Sequence, residues 1–489
     1  MMSKPKRLHP ISAVENFVRQ LKDLIIPFII VFLFGQGRLE GGEWYERVPL
    51  IIFAAVLIWV FAAGIIRWYR FTYRLEEGEL RIEYGLIVKK KRFIPFERIQ
   101  SLDFSEGILL RPFKLVKVSV ETAGSGSDHA EASLSAITKE EARTLQQAIA
   151  ESKNKHAVAE HSEQNVAPEN GALAEDGEVL YRITKPQLLF MASTSGQIGV
   201  VLSAAAAFLS QIDDIIPYKK IFSEFEHLAR IGSYVVAFLV VGGLFVAWLL
   251  SVILTILKYN DFTLTRIGDD LVITRGLLEK RQTTIPIRRI QAVAIKESPI
   301  RQPFGYAGVS IESAGGSIME KDSSTVMILP VIKKRRIAEI LEDQLEGYQF
   351  SSVRLNPPPG RAKLRYVFVQ LACELAITIA ACFYLGAYGL LAGLLMLVTL
   401  VLGHFRFQSA GWQINNGQLV LRNRGIQQHT VFMRKNRIQA ITESVNLFQK
   451  KAALASVTAE VKSGMGSRST TVKHLDERDA ADIFQWLHP

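Results

Sequence analysis

At 489 residues the chain exceeds one ordinary domain and points to about three. A mean hydropathy of +0.17 beside 21% charged residues divides it between lipid and water, which excludes an ordinary soluble enzyme of uniform composition. Its two cysteines, Cys373 and Cys382, share one apolar stretch and exclude a disulfide framework or zinc cluster, and the net charge of +11 favours anionic lipid head groups over nucleic acid as partner.

The basic start, Lys4-Pro5-Lys6-Arg7, is not followed closely by an apolar run with a small-residue cleavage site, so the first apolar stretch reads as an uncleaved membrane segment. A helix needs roughly 20 mainly apolar residues to cross the hydrocarbon core. Six stretches are read as spans: residues 24–34 (extended by 17–21, with Pro27 as a kink), 48–68, 188–209, 231–257, 366–385 and 388–405. They form three pairs, and a long polar region follows each. Arg67, Arg70, Arg74, Lys258, Arg361, Lys363, Arg365 and Arg406 flank the polar-region side, while the loops within pairs mix fewer basic residues with acidic ones. Basic flanks face the cytoplasm, so both termini and all three polar regions are expected there. The resulting division is hairpin 1 (1–67), soluble domain 1 (68–151), a flexible tether (152–180), hairpin 2 (181–258), soluble domain 2 (259–348), hairpin 3 (349–405) and soluble domain 3 (406–489).

The polar regions repeat. Arg98-Ile99-Gln100, Arg289-Ile290-Gln291 and Arg437-Ile438-Gln439 are each preceded by a glycine about a dozen residues earlier, Gly85, Gly276 and Gly425. About two dozen residues after each comes a strand-like run ending at Gly124, Gly315 or Gly464. Three landmarks in one order mark internal copies. Each copy reads as strands closed by a helix. Hairpin turns are expected at Glu76-Glu77-Gly78, Gly268-Asp269 and Asn415-Asn416-Gly417. Thr138-Lys139-Glu140-Glu141 has capping-box spacing ahead of a helix over 142–149, Pro330 can open one over 331–345, and Asp476 can cap one over 477–487. The fold class is therefore α+β: three transmembrane helix hairpins, each followed by a small partly open β-barrel or sandwich with a C-terminal helix.

The glycine, then Ile94-Pro95 or Ile285-Pro286, then Arg-Ile-Gln, then Pro112-Phe113 or Pro303-Phe304, resembles the bacterial pleckstrin-homology-like domain catalogued as domain of unknown function 304. Three hairpin-plus-domain units resemble the YdbT-type membrane proteins of Gram-positive bacteria. The resemblance implies PH-like modules and a cell-envelope role, in coping with membrane-active compounds. The third copy departs most, with Phe432-Met433 in place of Ile-Pro and Phe448-Gln449-Lys450 in place of Pro-Phe.

No His-Glu-x-x-His, paired Cys-x-x-Cys, P-loop or Gly-x-Ser-x-Gly occurs, so neither catalysis, metal nor cofactor is expected. The glycine-rich stretches at 124–127, 315–317 and 464–467 join strand to strand and read as turns rather than phosphate cradles. Lys89, Lys90, Lys91 and Arg92, then Lys280 and Arg281, are the lipid-contact candidates. The third copy has Gln428-His429 there, so basic character fades along the chain. A solvated strand edge that discourages pairing explains the same lysines. Gly85, Arg98, Gln100, Gly276, Arg289, Gln291, Gly425, Arg437 and Gln439 define the repeat and read as structural. Glu374 is the carboxylate well inside a span, a functional candidate by default. With no Lys or Arg deep in the other spans, a structural role is favoured.

The reading is a non-enzymatic, six-span cell-membrane protein whose cytoplasmic modules contact lipid or dock protein. Membrane lipids, a membrane protein with a related domain, or further copies of the chain are the partners to expect. A transporter or lipid exporter with a path at Glu374 is the alternative.

Overall fold

The computed structural model describes residues 5–18, 20–21, 48–76, 78–85, 88–122, 132–160, 177–195, 199, 203, 233–314, 325–351, 353–464 and 466–487. It is a mixed helix and sheet architecture. Among the described residues three helices, Ile51–Arg70, Val241–Tyr259 and Gly360–Tyr384, are long and apolar enough to cross a membrane, and Leu394–Ser409 is a shorter apolar helix. Their large side chains, among them Ile58, Trp59, Phe238 and Phe383, are exposed, as helices solvated by lipid require. The expected span at 24–34 and the later part of 188–209 lie outside the described residues.

The first module is built from β1 (Lys6–Arg7), β2 (Thr72–Glu76), β3 (Glu79–Tyr84) and β4 (Lys90–Pro95) in one sheet, and β5 (Ile99–Glu106), β6 (Leu115–Thr122) and β7 (Ala132–Thr138) in another. Helix α1 (Val48–Arg70) enters this module and α2 (Lys139–Glu160) closes it. Leu80, Ile94, Val118 and Leu134 from the two sheets meet Ala142, Leu145 and Ile149 from one stripe of α2. The capping box is made: the Thr138 N–H donates to Glu141 Oε2 at 3.3 Å and the Glu141 N–H donates to Thr138 Oγ1 at 3.2 Å.

The second module repeats this with β8 (Glu178–Arg182), β9 (Thr263–Ile267), β10 (Asp270–Arg275), β11 (Lys280–Pro286), β12 (Ile290–Glu297), β13 (Tyr306–Ser313) and β14 (Thr325–Lys333). Helices α3 (Lys185–Ser193), α4 (Ser233–Tyr259) and α5 (Arg336–Leu341) accompany it. The third has β15 (Gly411–Asn415), β16 (Gln418–Arg424), β17 (Gln428–Arg434), β18 (Ile438–Ser444), β19 (Leu454–Ser463) and β20 (Gly466–Asp476). Its helices are α6 (Arg365–Leu385), α7 (Leu394–Ser409), α8 (Leu447–Lys450) and α9 (Glu477–Leu487). The turn joining β15 to β16 places both Asn416 and Gly417 at positive φ, the twist a tight antiparallel hairpin needs. The Arg478 N–H donates to Asp476 Oδ1, capping α9.

Several sequence boundaries move. Residues 152–180 are not wholly a tether: α2 runs on to Glu160, and β8 pairs with β9 at the edge of the second module. Alternating burial was too short there to mark a strand, which is held by the ladder it joins. Similarly Lys6–Arg7, placed in hairpin 1, pairs with β2, and Asn356, placed in hairpin 3, bridges to Trp412. The start of the 188–209 stretch folds onto the second module instead, as α3, because Leu188 and Met191 find that core. No helix covers 331–345. Pro330 lies within β14 opposite an irregular register, where a missing N–H is tolerated, and the helix is confined to Arg336–Leu341. In hairpin 3 the span expected from 388 begins as a 3-10 turn over Gly386–Gly393 before α7.

Candidate functional site

The modules are not separate beads. Strand β5 of the first module pairs antiparallel with β11 of the second through Glu106↔Lys280, Ser105↔Arg281 and Phe104↔Gln282. Strand β12 of the second pairs with β17 of the third through six positions, from Ala292↔Met433 to Glu297↔Gln428. Aligned on Arg-Ile-Gln, the two junctions have one register: Glu106 and Glu297 are equivalent, as are Lys280 and Gln428. The sheets therefore run seven strands across the first junction and six across the second.

The repeat-defining residues sit at these joints. Arg289 Nη1 lies 4.0 Å from Glu121 Oε2 of the first module, and Arg437 Nη2 donates to the Arg288 carbonyl of the second at 2.7 Å. Each arginine thus reaches back to the preceding module, while Arg98 of the first copy is exposed. Gln291 is buried and donates to the Arg289 carbonyl, Gln439 is exposed, and Gln100 lies in β5. Gly85 and Gly276 hold φ of 135° and 109°, and a Cβ would stand 1.9 Å and 2.1 Å from the carbonyl oxygens of Val88 and Glu279. Only glycine fits there. At Gly425 φ is not positive and a Cβ would meet open space, so the third copy's glycine carries no such demand.

The first junction holds a buried acidic pocket of about 20 Å³, space for a water molecule. Asp103, Glu121, Ser101, Thr283, Thr284 and Arg289 line it. Burial, reinforced by the neighbouring Glu121, pushes the Asp103 carboxyl well above the usual carboxylate range. Asp103 Oδ1 accepts from the Thr284 N–H at 3.4 Å, and Ser101 Oγ donates to Glu121 Oε2 at 2.5 Å.

Of the lipid-contact candidates, Lys89 and Lys91 are more than half exposed and both pair with Glu83. Lys90 is exposed and Arg92 half-buried on β4. Lys280 is exposed, and Arg281 is half-buried and paired with Glu279 at 3.0 Å; both lie on the stretch of β11 whose backbone pairs with β5. Lys89, Arg70, Arg74 and Arg81 converge on a cleft of about 370 Å³ where α1 enters the first module.

A larger cleft, about 890 Å³, lies where α6 and α7 meet the third module. Arg365 and Arg406 come from the helix ends, Arg424 from β16 and Lys473 from β20, with no Asp or Glu in the lining. Arg406 Nη1 donates to Gln370 at 2.6 Å, and Tyr366 Oη donates to the Lys473 carbonyl at 2.5 Å. Burial, with Lys473 and Arg365 adding to it, pushes the His474 imidazole down to about 4, so it is neutral at pH 7. The fading of basic character read from 89–92, 280–281 and 428–429 is therefore local to one strand. The third module's charge comes from residues that are distant in sequence. Arg365 and Arg406 were visible as span flanks, but nothing local marks Arg424 or Lys473.

Glu374 ties α6 to α7: Thr399 Oγ1 donates to its Oε1 at 2.5 Å. Among the described residues no group of three or more His, Cys, Asp or Glu could hold a metal ion.

The bacterial PH domain profile matches this chain three times, over residues 24–153, 225–347 and 374–489. The chain is 38% identical over 493 aligned residues to the UPF0699 transmembrane protein YdbT of Bacillus subtilis (strain 168), covering 99% of this chain and 98% of that protein. It is also 30% identical over 93 residues to the UPF0699 transmembrane protein YdbS of the same organism, 19% of this chain and 55% of that protein. With apolar helices feeding each repeated two-sheet module, and likeness from end to end, the chain belongs to the UPF0699 transmembrane family, carrying three bacterial PH domains.

Proposed function

We propose that this is a non-enzymatic cell-membrane protein whose three PH modules lie against the inner leaflet, holding anionic head groups and docking protein, in a cell-envelope role such as resistance to membrane-active compounds. The observation that carries the lipid half is the cleft of Arg365, Arg406, Arg424 and Lys473, free of acidic lining and placed where apolar helices emerge. Each Lys or Arg near an anionic surface contributes on the order of 1 kcal/mol.

Six spans with both termini in the cytoplasm is the topology this reading uses. Support comes from strand pairing around each hairpin. Residues before it (Lys6–Arg7, Glu178–Arg182, Asn356) hydrogen-bond to residues after it (β2, β9, Trp412). Segments paired in one sheet share one side of a bilayer, so the chain between them crosses an even number of times. The transporter reading is disfavoured by the bond from Thr399, which engages Glu374 Oε1 within its own helix pair.

Native mass spectrometry of the full chain in mild detergent, with phosphatidylglycerol or phosphatidylcholine added, tests the lipid half. Phosphatidylglycerol should be retained preferentially, and R406Q/K473Q should lower retention about thirtyfold, by removing two contributions of this kind. Equal retention of both lipids by the unaltered protein would sink the reading.

A further inference from the structure

Two strand edges end the row of modules. Among the described residues, no strand pairs with the outer edge of β4 in the first module or of β18 in the third. These are the edges that the internal junctions fill. β4 is equivalent to β11 and β17, and β18 is equivalent to β5 and β12. From this we propose that the β18 edge of one copy pairs with the β4 edge of a second copy, continuing the sheet from chain to chain in the register of the two internal junctions. The inference rests on the reading of the modules as docking units on one face of the membrane.

That register sets Ser444 opposite Lys90, Glu443 opposite Lys91 and Ile441 opposite Phe93. The chemistry matches: Glu443 enters the basic run 89–92, and two apolar side chains meet. Phe93 shows what is missing. It is 53% exposed, whereas its equivalent Phe432, in the filled second junction, is 1% exposed opposite Val293. Similarly β18 is exposed over Thr442, Glu443 and Ser444, where β12 is almost wholly buried. Lysines on an edge normally deter pairing, but a deterrent edge has no use for an exposed phenylalanine beside them. Bare edges are templates for another strand, and here the molecule twice displays the strand that fits.

Membrane geometry permits the step. Successive modules within one chain already make it while each receives its own apolar helices, so repeating it between chains keeps all helices in one bilayer. The contact is heterologous and yields rings or open rows.

Cysteine cross-linking in membranes tests the register. Two differently tagged full-length chains, both with Cys373 and Cys382 replaced by Ser, are co-expressed, one carrying K90C and the other S444C. Oxidation should give a disulfide-linked heterodimer. A440C in place of S444C, displaced ~13 Å along the strand, should give almost none, and E443K added to the S444C chain should cut the yield several-fold. No heterodimer from chains that insert and elute as folded protein overturns the proposal. So does equal yield from A440C, or capture of K90C only by a different protein with a related domain. Lipid retention by the unaltered chain is read separately, so the two readings fail independently.

Discussion

The two internal junctions share a register but not a chemistry. At the second, Phe432 and Val420 of the third module belong to the second module's core, while Ala292 and Ala294 of the second belong to the third's. At the first, the cores stay apart: the first module's apolar cluster contains none of the second's residues. Three ladder positions and a buried acidic pocket join them instead. The same strand pairing can thus weld two modules into one hydrophobic unit or leave two units joined by polar contacts. Side chains at the equivalent positions decide which, since Leu102, Asp103 and Phe104 stand where the second junction has Val293, Ala294 and Ile295.

This contrast can be broken most strongly at Phe432, whose ring lies 4.9 Å from that of Phe350. Phe432→Ala should cost about 3–5 kcal/mol and raise hydrogen exchange in the second and third modules together. The first module should keep its protection. Exchange confined to the third module would show that the cores are not merged in energy.

At the polar junction, Arg289→Met removes the guanidinium that stands 4.0 Å from the buried Glu121 carboxylate. The expected cost is about 3 kcal/mol, the lower end for removing one member of a buried pair, read as faster exchange in β5 and β11 alone. Arg437→Met, losing one bond to a carbonyl, should cost about 1 kcal/mol. Equal effects of the two changes would erase the distinction between junctions.

The smallest effect is pH dependence. Because the folded protein holds the Asp103 proton more tightly than the unfolded chain, the stability this group supplies is full below the ordinary carboxylate value. It is lost as pH rises toward the raised folded value. Asp103→Asn should therefore match the parent near pH 4 and gain on it progressively toward pH 8. Thermal unfolding across that range checks it, and a constant difference at all pH values would mean that Asp103 does not titrate at the joint.

Much of this was legible in the chain. Arg-Ile-Gln and its preceding glycine marked three copies, which the bacterial PH domain matches follow, and long apolar runs marked membrane helices. Local signals worked where the physics is local: the Thr138–Glu141 box, the Asn416-Gly417 turn and the Asp476 cap depend on residues a few positions apart. Reading failed where a partner lay far away. Residues 178–180 looked like tether because the apolar run is short and its stability comes from β9, and Leu188 looked like the start of a span because apolarity alone does not say whether lipid or a protein core receives it.

The sequence by itself determined that there are three like modules and apolar helices to carry them, because periodicity, turn residues and hydropathy act over short distances. Only the tertiary structure decided that the modules share their sheets, that Lys280 and Arg281 lie on a strand at such a joint, and that Arg365, Arg406, Arg424 and Lys473 meet in one cleft. Backbone edges carry no side-chain signature of their partner, and charges distant in sequence converge only when the chain is folded.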